Sequence, residues 1–132
     1  MLRYPSLVAA SDPNDTPRLR ARRCECGHIF HPPHAFGCER CGRAGNETLA
    51  IEIAAKGVLT ALATVHAHPK LPVPFVLGRV ALDAGPVIDA WIEDDETSLR
   101  LGQRVQGTLM PGGTTEAGEP LFDLRFVLAE VR

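Results

Sequence analysis

Four cysteines occur in this chain of 132 residues, and all of them fall between positions 24 and 41. They form two pairs, Cys24 and Cys26 in CECG and Cys38 and Cys41 in CERCG, each closed by a glycine. Two pairs separated by eleven residues form a zinc-ribbon pattern. Each pair sits on a tight turn, and four thiolates at about 2.3 Å from one ion make a tetrahedron. In a reducing compartment such a cluster is read as metal ligands and not as disulfides. With all four positions filled by protein, no place remains for water or substrate, so the expected ion is one structural Zn²⁺ per chain. Gly27 and Gly42 allow the positive φ that turns backbone N–H groups back toward sulfur.

The first pair is spaced CxC. Alternate residues of extended chain point the same way but stand further apart than two sulfurs on one tetrahedral ion, so this pair chelates with some pinching. His28, His31 and His34 lie between the pairs. Imidazole ligates zinc as well as thiolate does, so a site with one of them in place of Cys24 stands beside the four-cysteine site. A third reading holds no metal. His31-Pro32-Pro33-His34 is held extended by its prolines, which favours exposed loop histidines.

Other reactive residue types do not assemble into a catalytic set. Ser6, Ser11 and Ser98 lie in arm or loop with no histidine and acid at a readable spacing, so no catalytic residue is assigned. His66 and His68 share a strand face but lack a third ligand. The run Glu93-Asp94-Asp95-Glu96 reads as a solvated loop. Trp91 and Phe75 serve as packing or as interface anchors.

These residues must be positioned by short extended elements. Residues 1–17, with three prolines, read as an extended or lightly ordered arm. PRLRARR (17–23) is basic and runs into Cys24, where it is either solvated surface or an offset to a negative thiolate site. From Glu47 the texture is β-branched and alanine-rich, broken by Gly57, which reads as strand, bend, strand, the pair counting as one long strand of the barrel. Further strands are expected at Phe75–Leu82, 87–93, 103–111 and, with the clearest alternation, LFDLRFVLAEV, whose Asp123 and Arg125 oppose Phe122, Leu124 and Phe126. Asp83-Ala84-Gly85-Pro86 is a turn. Five strands without a convincing helix suit a small closed barrel of the OB type, with an SH3-like barrel or sandwich as the alternative. The expected fold is mainly β: an arm over 1–17, a rubredoxin-like zinc ribbon over 18–47 and a five-stranded OB-fold domain over 48–132.

Composition limits the function classes. Hydrophobic residues make up 45% and charged ones 23%, which is globular. The sequence shows no secretory signal and no run of membrane-spanning length, so a soluble, cytoplasmic protein is expected. Residues 48–132 carry eleven acids against seven Lys/Arg. A single-stranded nucleic-acid binder of the OB type needs a basic groove with stacking aromatics, so that reading is the less favoured alternative.

RLRARRCECGHIFHPPHAFGCERCG resembles the N-terminal zinc ribbon of the DUF35 family. GVLTALATVH, PFVLGRVALDAGP and LRLGQRVQG resemble the OB-fold half of the same family, so the resemblance runs over about residues 17–128. It implies a non-catalytic accessory or scaffold subunit of an acyl-CoA-processing complex. The implied partner is a thiolase or thiolase-like lipid-transfer enzyme whose CoA channel the subunit helps form or cover, or alternatively a MaoC-type enoyl-CoA hydratase. CoA thioester is then met only through the complex.

Overall fold

Period-two alternation of buried and exposed residues marks three of the longer strands, Arg18–Arg23, Phe75–Leu82 and the first half of Arg104–Thr114. The structure, a computed structural model, describes residues 2–10, 16–33, 37–44, 47–94 and 96–129. Among these residues, nine strands run in the order β1 (Val8–Ala9), β2 (Arg18–Arg23), β3 (Ile29–Phe30), β4 (Leu49–Ala54), β5 (Lys56–Val65), β6 (Phe75–Leu82), β7 (Val87–Ile92), β8 (Arg104–Thr114) and β9 (Pro120–Leu128). A 3₁₀ turn lies at Glu96–Ser98, between β7 and β8.

The basic segment RLRARR is the central strand of the first sheet. Leu19 and Ala21 of β2 point into the core while Arg18 and Arg20 stay exposed, the alternation expected of a half-buried strand. One edge of β2 pairs with β4 along all six residues, from Arg18 opposite Ala54 to Arg23 opposite Leu49. The other edge takes β1 and then β3. The arginines bind the neighbouring backbone and β4: Arg20 donates to the Pro5 carbonyl and reaches Glu52, and Arg22 donates to Thr48.

The second sheet is a closed five-stranded barrel in the order β5-β6-β7-β9-β8, which settles the choice among small β architectures in favour of the OB type. Leu59, Val80, Val105 and Phe126 are wholly buried inside it, each contributing about 1.5–3 kcal/mol of burial. Their cluster continues into Val8, Leu19, Ala21 and Ile53, so the barrel and the first sheet share one core.

Two expectations are corrected. The strand, bend, strand expected here breaks at Ala55 and not at Gly57, and the pair does not count as one barrel strand, since the first of them belongs to the sheet of β2. Gly57 lies inside β5, between Leu82 of β6 and Val105 of β8. A Cβ there would stand 2.1 Å from the Ala81 carbonyl oxygen, so glycine is required by a close backbone approach where the barrel shuts. The polar face of the last strand is also less open than its alternation implies. The side chains of Asp123 and Arg125 retain only 16% and 17% of their exposure, because the arm crosses Asp123 and the Trp91 ring lies against Arg125. Leu2 bridges to Phe122, and Arg3 pairs with Asp123.

Candidate functional site

The cysteines sit where two tight turns face one another. Cys24 follows β2 directly, and its turn closes with the Gly27 N–H donating to the Cys24 carbonyl at 2.9 Å. The second turn repeats the pattern, the Gly42 N–H donating to the Cys38 carbonyl at 2.8 Å. Gly27 and Gly42 take φ of 95° and 83°, values that a residue with a Cβ adopts only under strain. A bridge between Gly37 and Ala44 holds the second turn's base.

These turns bring the four sulfurs within 4.8 Å of one another. Cys24 and Cys41 are 3.2 Å apart, and Cys26 and Cys38 are 3.6 Å apart. Sulfurs bound to one tetrahedral ion stand about 3.7 Å apart, so the cluster could hold a metal ion with little adjustment. Cys24 and Cys38 are buried and Cys26 and Cys41 exposed, all four as free thiols.

Backbone N–H groups are aimed at the sulfurs, as the two Cys-Gly turns lead one to expect. The Cys26 N–H lowers the pKa of Cys24, but burial and the hydrogen bonds that the Cys24 thiol donates to the other three sulfurs overcome it and push Cys24 up to about 12. Cys41 goes the other way, to about 7, first through the Arg43 N–H and then through the Cys24 thiol. Burial works against the ionised form of Cys38, yet the N–H groups of Cys41 and Arg40 bring it below its ordinary value. A cluster that ionises some of its thiols in advance is suited to a cation.

Ring nitrogens of His28, His31 and His68 serve other partners. His28 Nε2 lies 2.9 Å from Glu39, and His31 Nδ1 lies 2.8 Å from the carbonyl of Arg20. His34 lies outside the described residues. His68 uses Nδ1 to accept the N–H groups of Lys70 and Leu71, which ties the turn after β5. The acidic run is not a free loop over the part described. Asp94 accepts the Leu128 N–H at 2.7 Å, and Glu93 lies 3.6 Å from Arg125. Asp95 lies outside the described residues.

Sequence reasoning missed three basic residues. Arg43 binds Glu25 at 3.0 Å and also feels the Cys24 and Cys41 sulfurs. It is therefore the cation of the cysteine site, a task first considered for the arginines of 17–23. Its place just after CERCG was the available signal. Arg125 lies 3.7 Å over the Trp91 ring, which packs on Phe75 at 4.5 Å. Arg3 holds the arm to the barrel through Asp123 and the Gly112 carbonyl. Between arm and barrel lies a cavity of about 1030 Å³, walled by apolar side chains of β7, β9 and the arm.

Residues 50–109 match the family model of the ChsH2 C-terminal OB-fold domain. Among solved structures, the chain is similar to the "Ltp2-ChsH2(DUF35) aldolase", with a TM-score of 0.62 and 23% sequence identity, over 82% of this chain and 84% of that one. At that identity the likeness is one of fold. No helix among the described residues is long and apolar enough to cross a membrane.

Proposed function

From the match of residues 50–109 to the ChsH2-type OB-fold domain, we propose that the chain is a member of the DUF35 family and a non-catalytic accessory subunit of an acyl-CoA-processing complex. The observation that carries this reading is the fold-level likeness, over four-fifths of the chain, to a DUF35 protein whose name joins ChsH2 to Ltp2 in an aldolase. The partner proposed is a thiolase or a thiolase-like lipid-transfer enzyme, which brings the catalytic residues. CoA thioester is met inside that complex, with this chain forming or covering part of the channel.

Cys24, Cys26, Cys38 and Cys41 are proposed to hold one structural zinc ion. The donor set supports this assignment: four sulfurs converge, and zinc takes four thiolates in closed tetrahedral coordination. The same convergence occupies the chain's strongest nucleophiles, which supports a subunit without chemistry of its own. Free thiols in a tight cluster suit the reducing cytoplasm.

The test is co-expression with the candidate thiolase-like enzyme, followed by gel filtration and assay of thioester turnover. A stable complex with activity that depends on this chain is expected. An enzyme fully active alone, beside a monomeric chain that never joins it, would refute the subunit reading.

A further inference from the structure

Strands β7 and β9 meet through a single parallel rung, Ile92 with Phe126, whereas the other neighbours in the barrel share three rungs or more. The Glu93 N–H donates to the Phe126 carbonyl at 2.9 Å. Since backbone direction alternates along a strand, the N–H and C=O of Val87 and Asp89 face the seam from β7, and those of Leu124 face it from β9. Partners for these groups are absent from the ladder between the two strands. An unpaired strand edge is a template for further backbone.

Extended chain is already seated on this edge one rung away. Leu2 bridges to Phe122 in parallel, with the Arg3 N–H donating to the Phe122 carbonyl at 3.0 Å. The 1030 Å³ cavity fills the space between, with Ile88, Trp91, Phe122 and Leu124 among its walls. At its rim Val87 is 57% exposed. Around it Arg3 pairs with Asp123 and Arg79 with Asp89, while Arg125 stands 3.6 Å from the carboxylates of Glu93 and Asp123 and its buried Nε and Nη1 find no hydrogen-bond acceptor among the described residues.

An acyl chain would fill the apolar volume but leave the edge N–H and C=O groups without partners. A nucleic-acid strand would bring phosphates to a seam whose arginines already have carboxylates. Extended polypeptide supplies alternating donors and acceptors together with an apolar side chain at every second residue. We propose that the seam between β7 and β9 is a docking slot for an extended, uncharged segment of a partner polypeptide, which adds as a strand to β7 at Val87 and Asp89. The inference rests on the subunit reading only for which protein supplies the segment.

The experiment uses the full chain and no particular enzyme, so its outcome is separate from that of the co-expression test. Displayed random peptides of about eight residues, a little above common strand length, are selected on the chain, and the best binder is synthesised. Expected are slowed amide exchange at Val87, Asp89 and Leu124, and a loss of affinity of about tenfold when alternate peptide amides are N-methylated. Ala90→Phe, which fills the seam, should abolish binding without changing the circular dichroism. If that variant misfolds, the N-methylated peptide on the unaltered chain still decides. The proposal fails if no peptide is selected, if protection falls elsewhere, if N-methylation leaves affinity unchanged, or if the seam takes a fatty acid or oligonucleotide in place of peptide.

Discussion

Cys24 and Cys41 lie 3.2 Å apart and hold their protons very differently. Cys24 stays protonated to about 12, while Cys41 is half ionised near 7. A metal takes thiolates, so binding must expel whatever protons remain. Loading with Zn²⁺ at pH 7 should therefore release at least the Cys24 proton and about half of one from Cys41. The Cys41 share should vanish as pH rises past 7 and grow toward a whole proton as it falls. Potentiometric titration measures this directly, and metal uptake without proton release would exclude thiolate coordination. Cys38→Ser or Cys41→Ser should leave the chain without bound metal, read by elemental analysis. The cysteine cluster was legible in the sequence because ligand spacing is local. The part played by Arg43 was not, since a nearby cation can come from either side of the turn.

At the scale of elements, Gly57 and Gly78 of the barrel offer a comparison. A Cβ at Gly57 meets the Ala81 carbonyl at 2.1 Å, which is backbone in a paired strand and cannot step aside. One at Gly78 meets the side-chain atoms Ile92 Cγ1 and Leu59 Cδ1 at 2.8 Å, and these can shift. Overpacking costs about 1–3 kcal/mol, so Gly57→Ala should lie at the top of that range or above and Gly78→Ala at the bottom. Urea denaturation of both variants gives the ranking, and equal losses would contradict the close approach at Gly57. The barrel strands β6 to β9 could be read from alternation, because each has one face on the core. That the break falls at Ala55 and parts two sheets could not. Leu49–Ala54 and Lys56–Val65 have the same texture, and only their partners, β2 on one side and β6 and β8 on the other, tell them apart. RLRARR hid its role for a related reason: two buried side chains, Leu19 and Ala21, carry the strand signal amid arginines.

On the scale of the whole molecule, two hydrophobic clusters divide the chain differently from its order along the sequence. The larger joins β1, β2 and β4 to the interior of the barrel, so the first sheet draws its stability from the same burial that holds β5 to β9. Among the described residues, the smaller holds Cys24, Phe30 and Cys38. Three residues cannot offset the ordering entropy of the two turns around them, so that end depends on its cross-link through the cysteines. Removal of metal by a chelator should therefore unfold residues 24–44 and spare the remainder of the first sheet. In a spectrum of the backbone amides, signals from the two cysteine turns should collapse toward random-coil positions. Those of Leu19, Val80, Val105 and Phe126 should keep their places and their slow exchange, since each is buried in the larger cluster. A cooperative loss of all signals together would mean that the cysteine end carries the stability of the whole. An unchanged spectrum would mean that the turns hold without metal, and the structural role of the ion would have to be abandoned.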